Sequence, residues 1–365
     1  MNKTHKFNTL SLVTTIAAGT LVTACSTFQS KPAAPEAPPA VVSSTTEAPP
    51  VVTAKMSAAR AQLSQMVALQ DRLYRIAGPL LINNADLCRT QARNLLGFTA
   101  KNKYSYSGEF VDAAQAVLNY GERLEVASVL SGSGAARAGL RKGDALIAAN
   151  GKVLPIGANA ETQAAAILGP LASTSQSLEL TVARGGTNQQ LKVPVTRACA
   201  FKIDIGNADN INAYSDGQRV MITRGMVNFA QSDEAVAYVL AKDIAHNVLG
   251  HAATTKQAYT VGSIIDNLVA VRPDLSMLIG TAGVKPVPQD LDAAADRLSL
   301  YMVARAGYSI DGARGFWQRL ATQYPASVLN GYTAIHPAVS HRLSVIDKTV
   351  AEIKSKQAAK RPLVP

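Results

Sequence analysis

Apolar residues fall at helical spacing in some stretches of the chain and at strand spacing in others. Across residues 57–81, Leu63, Met66, Val67, Leu69 and Leu73 recur every three or four positions, and Gly78-Pro79 is the expected end of that helix. From 102 to 196 the texture becomes short runs between glycine turns. Residues 124–151 read as a strand, a glycine turn, one helical turn, Gly143-Asp144, a second strand and an Asn150-Gly151 hairpin. A helix is expected at 160–168 and strands at 178–182 and 190–195. Past Cys199, residues 201–205 form a predicted strand, and 210–226 a hairpin about Asp216-Gly217. Residues 232–251 then read as one helix, capped by Ser232, with Asp233 and Glu234 in its first turn and Gly250 as its stop. Amphipathic pieces at 261–271 and 275–279 and a helix from Asp290 to Gly307 follow.

The 232–251 helix carries candidate chemistry. In H-E-x-x-H, two imidazoles four residues apart share a face and bind zinc, while the intervening Glu polarises a water. Here the frame reads Lys242-Asp243-x-x-His246, so only the second His stands. Taken alone, a single His on a half-apolar face is a packing residue.

Before the first helix lies a different kind of sequence. Lys3 and Lys6 precede an apolar run and Val22-Thr23-Ala24-Cys25, the pattern of a secretory signal peptide over 1–24. The small residues before Cys25 resemble a bacterial lipobox, which makes Cys25 the expected lipidation site and places the protein on the periplasmic face of the outer membrane. Six prolines among residues 26–55 make 25–55 an extended tether, up to roughly 90 Å at about 3.1 Å per residue.

The net charge of +11 falls to +9 without the leader, which holds Lys3 and Lys6 and no acid. The basic residues are scattered without interleaved aromatics, which argues against nucleic acid. With Cys25 lipidated, Cys88 and Cys199 remain as an even pair in an oxidising compartment and are expected to form a disulfide. Two buried free thiols are the alternative.

The run Ala138-Gly139-Leu140-x-x-Gly143-Asp144-x-Leu146, followed by Asn150-Gly151, closely resembles a PDZ domain of the bacterial periplasmic-protease type. That resemblance implies a peptide added as a strand, with Gly121, Glu122, Arg123 and Leu124 in the place of the carboxylate-binding loop. Further on, an Asn-Ala-Tyr hairpin, Thr223-Arg-Gly-Met226, the Lys-Asp-x-x-His helix, Asp292-x-x-Ala-Asp296-Arg297, an aromatic helix at Phe316-Trp317 and His336-Pro-x-x-x-x-Arg342 occur in order. This array resembles the zinc metallopeptidases of the HtpX and CaaX-prenyl-protease family, a gluzincin fold. The class implied is α+β: a PDZ-type small β-barrel domain (102–197) and a mainly helical metallopeptidase-like domain with a hairpin (198–350). A helical brace (56–101) and a basic tail (351–365) flank them.

Carried over by position, Lys242 replaces the first zinc ligand, Asp243 the general base and Asp292 the third ligand. His246 keeps its place, and Asp296 takes that of the acid orienting the first ligand. A charged Lys has no lone pair, and each Asp is one methylene short. His251, roughly 140° round the helix from His246, is not expected to replace the lost ligand. The Lys242 ammonium is therefore expected to pair with Asp292, Asp296 or both, replacing the metal's charge. His336 is read as a packing or capping residue; the alternative makes it a third ligand beside His246 and Asp292. The expected function is peptide binding in envelope protein quality control by a catalytically impaired, lipid-anchored protein. Extended peptides or unfolded envelope proteins are its partners, the 219–223 edge strand also offers augmentation, and no cofactor is bound. The alternative is a working zinc endopeptidase with an atypical site.

Overall fold

The computed structural model describes residues 52–251, 286–326 and 331–365. The expected leader, Cys25, most of the tether and the pieces at 261–271 and 275–279 lie outside the described residues. Thr53 opens helix α1 (Ala54–Ile82) by accepting the Met56 N–H, so the helix begins inside the expected tether. It also runs through Gly78-Pro79 where a stop was expected. Pro79 costs the helix one N–H, and Gly78 serves packing: a Cβ there would lie 2.6 Å from the Ser131 carbonyl oxygen. Leu73, Ile76 and Leu80 bury the opposite stripe in the main core.

Strand β1 (Ala92–Leu95) follows, and then β2 (Phe98–Lys101), α2 (Glu109–Leu118), β3 (Glu125–Val129) and α3 (Gly134–Arg137). Next come β4 (Ala145–Ala149), β5 (Lys152–Val153), α4 (Ala160–Thr174), β6 (Ser177–Arg184), β7 (Thr187–Pro194) and β8 (Thr196–Cys199). One six-stranded sheet runs β2-β3-β4-β6-β7, with β5 added on β4 through the Asn150-Gly151 turn, where both residues have positive φ. Its own core gathers Leu124, Val126, Leu146, Leu168, Leu178 and Val182. Two features depart from the sequence reading. β2 precedes the expected boundary at 102, and residues 109–118 are helical, packing Phe110, Ala113 and Ala114 against Ala59 and Leu63 of α1. β1 pairs with β8 in a separate antiparallel ribbon, and a disulfide joins Cys88 to Cys199 beside it.

The second module starts with β9 (Lys202–Gly206), β10 (Ala213–Ser215) and β11 (Arg219–Thr223), in the order β10-β11-β9. β11 is thus the central strand, parallel to β9, and cannot serve as the augmentation edge expected of it. The free edge of β9 is partly covered by Gln70, whose amide donates to the Ile203 carbonyl and accepts the Ile205 N–H, both at 3.3 Å. Thr223 ends β11 by accepting the Met226 N–H and starting α5 (Arg224–Ala230), so Arg224 to Met226 are helical and not strand.

Helix α6 (Asp233–Val248) follows its expected signals: Ser232 accepts the Ala235 N–H, and Asp233 in the first turn takes Arg72 and Arg75 of α1. Residues 235 to 247 are all buried, so the helix is covered on every side along that stretch. Packed around it are α7 (Gln289–Arg305), α8 (Ala313–Gln323), the short α9 (Gly331–Ile335) and α10 (Ser340–Ala358). The basic end of the chain is tied down. Ile353 is buried, and the Leu363 and Val364 carbonyls accept from Arg305 and Lys356. Among the described residues no helix is long and apolar enough to cross a membrane.

Candidate active site

Lys242, Asp243 and His246 belong to the buried stretch of α6, residues 235–247, and this burial decides their chemistry. Lys242 is 0% exposed. Its Nζ donates to Asp292 Oδ1 at 2.7 Å and to Asp296 Oδ1 at 2.9 Å, both carboxylates standing one turn apart on α7. The Trp317 ring lies 5.6 Å below the same ammonium. From α10, Arg342 reaches Asp296 with its Nε and, at 3.2 Å, with Nη2; its Nη1 donates to the His336 carbonyl at 2.9 Å. Its guanidinium also stacks 4.8 Å from Trp317. Two cations and two carboxylates therefore close a buried square in which the charges cancel.

The histidines surround this square. His336 Nδ1 lies 2.7 Å from Asp292 Oδ1, and His246 Nε2 lies 3.4 Å from the same oxygen. The second contact is electrostatic only, since His246 Nε2 has no aligned hydrogen-bond partner among the described residues. An ionised carboxylate only accepts, so His336 carries its proton on Nδ1. Burial pushes His336 down to about 3, against the pull of Asp292, and lowers His246 likewise. Asp292 goes the other way: burial alone would raise it, but Lys242 first and then His336 hold its carboxyl far below the usual range.

His251, not expected to replace the lost ligand, has its Nδ1 2.9 Å from His246 Nδ1. The two rings meet because α6 ends at Val248 and Gly250, at φ +73°, turns the chain back. Burial takes His251 down to about 4.

Asp243, at the general-base position, is 1% exposed and is pushed up to about 7 by burial, with Lys242 and a hydrogen bond from Ser215 opposing. Its Oδ2 has no hydrogen-bond partner among the described residues, and neither does the buried Tyr332 hydroxyl. This carboxylate is sealed in the interior.

Whether these residues suit a zinc ion can be tested on their geometry. The candidate ligand atoms of His246, Asp292 and His336 lie within 4.8 Å of one another, so His336 joins the cluster from which the packing reading excluded it. A catalytic zinc needs three lone-pair donors at about 2.0–2.2 Å and an open fourth position. Asp292 Oδ1 already accepts Lys242 Nζ and His336 Nδ1, both at 2.7 Å. An ion at bonding distance from that oxygen would stand against the ammonium, adding two positive charges to a balanced buried site. The residues present do not fit the ion.

The residues expected to hold a peptide, Gly121 to Leu124, are used internally. The Glu122 carbonyl accepts from Asn102 and from the Gly157 N–H, the Glu122 carboxylate meets Lys103 and Tyr104, Arg123 bridges Ile156, and Leu124 is core. The structure instead opens a cavity of ≈ 650 Å³ beside Leu95, Leu96, Gly97 and Phe98. Leu95-Leu96-Gly97-Phe98, running into β2, is the sequence signal that could have located it.

Fold and site together make a metallopeptidase-like arrangement in which a lysine ammonium is buried between two carboxylates. Residues 176–350 match the model of Peptidase family M48, a family of zinc metallopeptidases. The chain is 26% identical over 148 residues to the mitochondrial metalloendopeptidase OMA1 of Schizosaccharomyces pombe, covering 39% of this chain and 44% of that protein. To human mitochondrial metalloendopeptidase OMA1 it is 23% identical over 180 residues, 44% of this chain and 34% of that protein. The chain therefore spans less than half the length of these relatives. A crystal structure of the HtrA3 PDZ domain bound to a phage-derived ligand (FGRWV) aligns with 29% of this chain and 88% of that one, at 19% identity and a TM-score of 0.22. No fold is inferred from that alignment.

Proposed function

We propose that this protein is a lipid-anchored peptide-binding factor of the bacterial periplasm in which a domain of the HtpX and CaaX-protease kind has given up hydrolysis. The observation that carries this reading is the Lys242 ammonium, fully buried between Asp292 and Asp296. It neutralises the carboxylates that a metal would neutralise, and it offers no lone pair. Asp243 is shut away from water, so it does not activate one. What remains is recognition: a PDZ-like sheet with an edge strand, β2, and a helix, α4, bordering an open cavity. Unfolded or extended segments of envelope proteins are the partners this reading implies.

The experiment measures zinc content and casein cleavage side by side for the wild type and for the triple variant Lys242→His, Asp243→Glu, Asp292→Glu. Metal and cleavage appearing only in the variant is the expected result. Stoichiometric zinc with chelator-sensitive cleavage in the wild type would overturn the proposal. That outcome would favour a second reading, a zinc endopeptidase using His246, Asp292 and His336, whose convergence is its one supporting observation.

A further inference from the structure

The cavity of ≈ 650 Å³ is not enclosed by the PDZ-like sheet alone. One wall is β2, which has β3 as its sole ladder partner among the described residues and so presents an edge of unpaired backbone groups. Gly169 and Ala172 of α4 leave space beside it. The remaining wall belongs to the metallopeptidase-like module: Phe201, Ile203, Ile205, Met221 and Arg219. Arg219 spends its Nε on Asp216 at 3.2 Å, while its Nη1 is buried with no hydrogen-bond partner among the described residues. Lys101 and Lys202 line the same space, against Glu161 and Asp204, so the lining carries a positive excess. Glu161 is already engaged by the Ser105 hydroxyl.

We propose that this cavity takes an extended peptide as an added strand on β2 and that Arg219, from the other module, receives an acidic side chain of that peptide. An unpaired edge supplies main-chain hydrogen bonds whatever the sequence, and apolar walls accept side chains that alternate along the strand. A buried guanidinium nitrogen without a partner is costly, and a carboxylate removes that cost. The inert module thereby becomes half of the recognition site. The inference rests on the peptide-binding reading above and deepens it by naming the ligand class.

The test uses the full-length chain and fluorescein-labelled peptides of alternating Val and Thr with one central Asp, their Asn counterparts, and both with amidated C-termini. Fluorescence anisotropy is expected to show about tenfold tighter binding of the amidated Asp peptide than of the amidated Asn peptide. Arg219→Gln should erase that preference while the Asn peptide still binds, and Arg219→Lys should retain part of it. Gly169→Trp should abolish binding of both; its Cβ meets nothing within 4 Å, so the helix tolerates the ring that fills the cavity. Peptides that bind Gly169→Trp as well as wild type, or that need a free α-carboxylate, would overturn this inference and leave peptide binding standing. If no peptide binds the wild type, both readings fall.

Discussion

Replacing Lys242 by Met removes one charge while keeping an unbranched side chain one atom shorter. The wild-type site is a balanced set, Lys242 and Arg342 against Asp292 and Asp296, with Lys242 at 0% exposure and the two acids at 4% and 1%. After the substitution, Asp292 retains the His336 Nδ1–H at 2.7 Å and, as its charged partner, only Arg342 Nε at 3.4 Å, with Arg342 already committed to Asp296. Breaking a buried pair by deleting one partner costs about 3–5 kcal/mol, most of it the burial of the charge left behind. For a domain of this size each kcal/mol moves the melting temperature by about 2–4 °C, so the expected loss is about 6–20 °C. Circular dichroism at 222 nm reads it directly. The partner test adds Asp292→Asn to Lys242→Met: two charges of opposite sign are gone, and more than half of the loss should return. A Lys242→Met melting temperature within about 2 °C of wild type would refute the reasoning, because it would mean the carboxylates are not held by the ammonium. Failure of Asp292→Asn to restore stability would place the cost in packing instead.

Other outcomes follow from separate features. Cys88→Ala with Cys199→Ala should cost on the order of 4 kcal/mol in denaturant titrations, because the bridge closes a sequence separation of 111 residues. Gly225→Ala should prevent accumulation of folded protein or lower its stability severely, since the new Cβ would stand 2.1 Å from the Asp209 carbonyl oxygen; solubility and thermal scans decide. His336 is depressed to about 3 in the folded protein, so below its unfolded value of 6.5 the unfolded chain takes up a proton that the native state refuses. Stability should therefore fall as pH drops from about 6.5 towards 3, and His336→Gln should flatten that slope in urea titrations at stepped pH. Asp243, raised to about 7, acts in the opposite sense: the native state binds the extra proton, and stability falls as pH rises from about 4 to 7. Asp243→Asn should abolish that loss.

Local signals in the chain were legible where one residue type does one job. Ser232 capping α6, Asn150-Gly151 turning β4 into β5, and Asp216-Gly217 joining β10 to β11 all act within a few residues. The pairing of Lys242 with both acids was legible for a different reason. An ammonium in the position of a metal ligand, opposite two carboxylates, has few other places to go. What could not be read depended on partners distant in sequence. Gly78 looked like a helix stop and proved to be a clearance for Ser131, and β11 looked like an edge until β9 paired with it in parallel. The contact of His251 with His246 was not legible, because Gly250 ends the helix and turns the chain back. Arg342 stood in the right motif, but nothing local shows that it balances Asp296. That residues 121–124 are held by Asn102, Gly157 and Ile156, and that β2 precedes the expected boundary at 102, likewise depend on partners that no local signal names.

The most direct test of the substitution of metal by lysine is anomalous diffraction at the zinc edge from crystals soaked in dilute zinc chloride. The account predicts no anomalous peak among His246, Asp292 and His336, with Lys242 Nζ still in contact with both Asp292 and Asp296. A full-occupancy peak bonded to those three residues, with the Lys242 side chain displaced, would contradict it.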